Sequence, residues 1–162
     1  MSRGRIFSTA ILAAAIALSG ALAEAQSASS VTAAGGALLP SGASFATVSL
    51  QGMKFGIGAL IAGSGTATGD VESTLSGTSK KGKPQTITVV GKAVSGSGSV
   101  GGPANLSGTC SVDMGDGTPA LSGVPFALTI SKGAGGKWTL LMALSGTNLP
   151  LATVNTGSIT VR

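Results

Sequence analysis

Histidine and tyrosine do not occur in this chain, and cysteine and tryptophan occur once each. Each shortage excludes some chemistry. Without histidine there is no Ser-His-Asp or Cys-His arrangement and no histidine metal site. A single cysteine, Cys110, builds neither a thiolate cluster nor an intrachain disulfide. Charge is scarce at 9% of residues. Acid–base work would therefore fall to Asp70, Glu72, Asp113 and Asp116, or to a lysine. Asp70 and Glu72 stand two apart, so a strand puts both carboxylates on one face. A glycosidase pair needs its carboxylates about 5–10 Å apart across a cleft, with aromatics to stack on sugar. Aromatics are 3% of the chain, so these two acids read as solvent-facing charges on an edge strand. Serines are plentiful, but nothing singles one out for a Ser-Lys dyad. The chain reads as no enzyme.

The aromatic shortage also argues against a membrane barrel, which carries aromatic girdles at both interfaces. The start of the chain has a different apolar signal. Arg3 and Arg5 precede the apolar run Ile6 to Leu18, and small residues follow at Ala21-Leu22-Ala23 and Ala23-Glu24-Ala25. That order is a secretory signal peptide over residues 1–25, a signal helix cleaved after Ala25. The run is shorter than the ~20 residues a spanning helix needs, so no transmembrane span is expected in the mature protein. The localisation expected is exported, periplasmic or extracellular, in the periplasm, at the cell surface or in the medium. Removing Arg3, Arg5 and Glu24 leaves eight basic and four acidic residues, a net charge of +4.

What the mature chain has in quantity is glycine, 27 in all, together with Ser, Thr, Ala and Val. Glycine with β-branched residues favours strands over helices. The clearest stretch is Leu106 to Ser131. Leu106, Gly108, Cys110, Val112 and Met114 alternate with Ser107, Thr109, Ser111 and Asp113. Gly115-Asp116-Gly117-Thr118-Pro119 then turns the chain, and Phe126, Leu128 and Ile130 resume the alternation. Ile87 and Val89 mark a strand over Gln85 to Val94. Ala46 to Leu50 and Met53 to Ile61 read as a hairpin about Gln51-Gly52, and Asp70 to Leu75 as an edge strand with Val71 inward. Trp138, Leu140, Met142 and Leu144 alternate with Thr139 but not Leu141, which suggests a central strand covered on both faces. Ile159-Thr160-Val161 closes the chain. Leu-Ser-Gly recurs at Leu75, Leu106, Leu121 and Leu144, with unequal spacings of 31, 15 and 23 residues. That excludes a solenoid register.

The expected fold is all-β: a single antiparallel β-sandwich or small closed barrel of about 8–10 short strands. The expected layout is a signal peptide over 1–25, a loose Ala/Gly/Ser-rich leader over 26–44, with a short strand at most, and an all-β domain over 45–162. Cys110 lies on an apolar face and should be buried and inert. Trp138 should join Leu140 and Phe126 in the core, the alternative being a surface platform for sugar.

Two loops carry the candidate chemistry. Asp113 and Asp116, in a glycine-rich loop, offer the hard oxygen donors Ca²⁺ uses, though two acids fall short of the twelve-residue calcium loop. The plainer reading is a turn in which aspartate bonds its own backbone. Lys80, Lys81 and Lys83 would contact an anionic ligand, or form a solvated hairpin tip that discourages strand pairing. No aromatic or arginine accompanies these lysines, so nucleic acid is not an expected partner. Asn105-Leu106-Ser107 matches a glycosylation acceptor. No cofactor is expected unless Ca²⁺. The sequence thus suggests an exported, non-enzymatic protein with a structural or adhesive role, partnered by a cell-envelope polymer or by itself through sheet edges. The alternative is a small binding module for an anionic glycan or a Ca²⁺-dependent ligand.

Overall fold

The computed structural model describes residues 28–162; the signal segment 1–25 lies outside the described residues. The strands are β1 Ser29–Leu38, β2 Ser44–Phe45, β3 Val48–Ile61, β4 Thr66–Ser79, β5 Pro84–Gly98, β6 Ala104–Asp113, β7 Leu121–Lys132, β8 Trp138–Leu144, β9 Thr147–Asn148 and β10 Ala152–Val161. All pairings are antiparallel, in the order β1-β10-β8-β7-β6-β5-β4-β3-β2. β1 also pairs with β3, joining Ala33 to Ile57, while its other edge joins Val31 to Val161. The sheet therefore closes on itself. It is an up-and-down barrel, the closed member of the two expected architectures, with β2 and β9 as two-residue flaps.

The period-two pattern decides which side faces in. Met53, Phe55, Ile57, Leu75, Ile87 and Leu128 are among the side chains that fill the barrel. Their outward neighbours include Lys54, Asp70, Glu72, Thr74 and Lys92, all exposed or half-exposed. Eight strands make a barrel just wide enough for such side chains to fill. A lipid-facing barrel would turn its apolar residues outward instead. Among the described residues no helix is long and apolar enough to cross a membrane.

Several expectations need correction. The presumed leader 26–44 contains β1, a ten-residue strand at the heart of the closure, so the β domain does not wait for residue 45. Val48–Ile61 is one strand, because Gln51-Gly52 is a bulge and not a turn. One extra residue shifts the inward set from Val48 and Leu50 to Met53 and Phe55, and this shift of parity mimics a turn in the sequence. β4 is no edge strand, since it lies between β3 and β5, with Val71 inward as expected. β3, β4 and β5 run 14, 14 and 15 residues, so these strands are not short. Leu141 is only half-buried, and so is Trp138, which leans on the core beside fully buried Leu140 and Phe126. The strand edge open to association is confined to β10 among the long strands. The long strands are paired on both sides, except where β10 meets β8 through Ala152 and Thr153 alone.

Cys110 is buried as expected. Its Sγ donates to the Val124 carbonyl at 3.3 Å, and burial pushes the thiol pKa up.

Candidate functional site at the lysine end

Alternation of strand direction sends every second connection to the same end of the barrel. The tips 80–83 and 114–120 therefore share one end with the β1–β3 and β8–β10 connections. Ser79 fixes the first tip. Its N–H donates to the Lys83 carbonyl at 2.9 Å, and its carbonyl accepts from Gly82 N–H at 2.9 Å. Its hydroxyl accepts from Lys83 N–H at 3.3 Å. Gly82 takes φ +73°, a left-handed turn that glycine enters without cost.

The acidic tip is built by its own carboxylates. Asp113 Oδ1 accepts from Gly115 N–H at 2.8 Å. Asp116 Oδ1 accepts from the Thr118 hydroxyl at 2.6 Å and the Thr118 N–H at 3.0 Å. These are aspartate-to-backbone turns two residues on. The Thr118 hydroxyl first, and its N–H second, hold the Asp116 carboxyl below its ordinary pKa. Gly115 has φ +66°, and a Cβ there would fall on the Thr86 carbonyl oxygen, so the loop lies flat against β5. Gln85 ties the two tips together, its Nε2 donating to the Met114 carbonyl at 2.7 Å.

Between the tips lies a pocket of about 530 Å³. Lys80, Lys81 and Lys83 line one side, Gly115 and Asp116 the other, with Gln85 between and Thr47 from the β2–β3 connection. Lys80, Lys81, Lys83 and Asp116 thus share one cavity, while Asp113 organises the loop from outside it. Among the described residues no group of three or more Cys, Asp or Glu is placed to hold a metal ion. The lysines are exposed, so the pocket presents ammonium groups around a carboxylate already engaged by Thr118.

The sequence missed Gln85 and Thr47, and gave Gly115 only as a residue of the glycine-rich turn. Gln85 gave no signal, and the need for glycine at 115 is visible only once Thr86 is placed beside it. Asp70 and Glu72, the other acids considered for chemistry, stand exposed on the outer wall, where Asp70 pairs with Lys92 at 2.6 Å. Asn105 faces outward on β6, its Oδ1 accepting from the Thr129 hydroxyl at 2.9 Å.

No protein-family model, no curated protein and no solved structure matches this chain.

Proposed function

We propose that this is an exported, non-enzymatic binding module whose lysine end takes an anionic glycan of the cell envelope or its surroundings. The observation that carries the reading is the convergence of Lys80, Lys81 and Lys83 on one pocket. A short, fixed hairpin tip holds three cations within reach of one polyanion, and Asp116, the carboxylate that lines the pocket, is turned to Thr118. Lysine contacts of this kind act as point charges, so recognition follows charge density and is strongly salt-dependent. A structural or adhesive role follows from such binding, with attachment through the barrel end in place of strand edges.

The test is elution from immobilised heparin in a salt gradient. The wild-type chain should be retained at low salt and released as salt rises. The triple variant K80Q/K81Q/K83Q should elute at clearly lower salt, while K92Q, on the outer wall, should elute with wild type. Wild-type protein passing straight through would overturn the reading, as would an unchanged elution of the triple variant. Tighter binding to duplex DNA than to heparin would replace glycan with nucleic acid as the ligand.

A further inference from the structure

We infer that the barrel is two-ended: the opposite end carries a second, independent contact for anionic glycan, so that one molecule bridges two polymer chains. This rests on the anionic-ligand reading above. The far end gathers the turn 62–65, the connection 99–103 and the turn 133–137 with its short 3₁₀ segment Ala134–Gly136. It also holds the start of β1 and the end of β10, which are joined by Ser30 N–H to Arg162 O at 2.7 Å and Arg162 N–H to Ser30 O at 3.0 Å.

Three cations stand at this end. Lys132 and Lys137 flank the β7–β8 turn, and Arg162 follows β10. Lys132 pairs across the ladder with Trp138, its Nζ 5.0 Å from the centre of the indole ring. Trp138 is half-buried, packed against the core with Lys132 over its ring. This end therefore has both of the groups the lysine tip lacks, an aromatic plane and a guanidinium. Those groups stack on sugar and grip sulfate or carboxylate in a fork.

The distribution of charge supports independence. Among the described residues, Asp70 and Glu72 sit on the wall with Lys54 and Lys92, and Asp113 and Asp116 sit at the lysine end. No Asp or Glu side chain of the described residues stands at the tryptophan end, and the wall between the ends is balanced. β3 spans 14 residues, which at about 3.3 Å rise and a tilt near 40° separates the ends by roughly 30–35 Å. That is several times the screening length of about 8 Å at physiological salt. The two ends bind without sensing each other's charge, and a short oligosaccharide cannot reach both.

The experiment compares wild type, K80Q/K81Q/K83Q and K132Q/K137Q/R162Q, each checked for an unchanged circular dichroism spectrum. The probes are a sulfated tetrasaccharide, read by titration calorimetry, and long heparin, read by light scattering. Wild type should bind two tetrasaccharides per chain, and each variant one. Long heparin should be cross-linked by wild type, with a maximum at intermediate ratio, and by neither variant. Trp138 is the only tryptophan, so its emission reports this end. Tetrasaccharide should change it in wild type and in the lysine-end variant, but not in K132Q/K137Q/R162Q. One tetrasaccharide per wild-type chain would overturn the inference and leave the lysine-end reading standing. Cross-linking that survives in a single-end variant, or tryptophan emission indifferent to ligand, would overturn it as well. No tetrasaccharide bound at all would remove both readings.

Discussion

The lysine end and the tryptophan end each display three cations, yet they are built in opposite ways. At the lysine end all three come from one hairpin tip, clamped by Ser79 and faced by a second tip that Gln85 holds in place. The result is a pocket. At the tryptophan end the cations come from the ends of three strands, and Lys132 alone lies over the half-buried ring. The result is a surface. The difference shows how a barrel separates work. Its wall is a ladder, interrupted only where β10 leaves β8, whose alternation leaves little freedom, whereas the connections can be varied without touching the core. Chemistry gathers where the ladder stops.

Four changes would break or sharpen this comparison. The largest effect should come from the shared core. Leu128 is 1% exposed, and Leu128→Ala should cost about 2–5 kcal/mol by transfer and cavity terms. Urea denaturation should show the loss, and heparin binding at both ends should fall together as the folded fraction falls. Gly115→Val is next, at about 1–3 kcal/mol, because it forces a side chain into left-handed backbone against the Thr86 carbonyl. Its loss should be local: the lysine end should weaken while tryptophan emission stays as in wild type. Retained lysine-end binding would show that the acidic tip is not a necessary wall.

Trp138→Ala should cost about 1–2 kcal/mol, below the 3–5 of a fully buried aromatic, because the ring is only half-buried. An indole emission maximum typical of a dry core would contradict that placement. The smallest effect concerns Asp116. Its folded pKa is held below the ordinary 3.8 by Thr118, so its stabilising contribution is present above that value. It is lost as pH falls through the lowered folded pKa. Thermal melts from pH 6 to pH 2 should therefore show wild type and Asp116→Asn converging at the acid end. Millimolar Ca²⁺ should leave both melting temperatures unchanged, since a ligand stabilises only by binding the folded state. A calcium-dependent rise abolished by Asp116→Asn would return the carboxylates to the role of metal ligands.

The fold was readable where inward and outward residues differ in kind. Leu106, Cys110 and Val112 contrast with Ser107, Thr109 and Ser111, and β6 lies where that contrast puts it. β1 offers no such contrast. Its inward residues include Ala33, Gly35 and Ala37, and its outward ones Ala34 and Gly36, so a strand that closes the barrel resembles a flexible leader. The bulge at Gln51 hid β3 in another way, by reversing parity within one strand. Both candidate loops were legible as loops, yet their meeting was not. Lys83 and Asp116 become neighbours because β5 and β6 each run the length of the barrel, and local periodicity carries no information on which tips end up side by side. The pairing of Lys132 with Trp138 was within reach, since the two residues are symmetric about Gly135 in the turn 133–137.

The ladder between β1 and β10 has a kinetic consequence. It joins Val31 to Val161, so the contact that seals the barrel is among the most distant the described chain can make. Closure of so long a loop is entropically slow, and the other hairpins, each local, should assemble before it. The same adjacency offers a way to alter that order. A short linker from Arg162 to Ser29, with the chain reopened at the exposed tip near Gly146, gives a circular permutant that preserves every long ladder. In such a chain β10 and β1 become a local hairpin, β7 and β8 stay one, and β8 and β10, now near opposite ends of the chain, become the long-range partners that close the barrel.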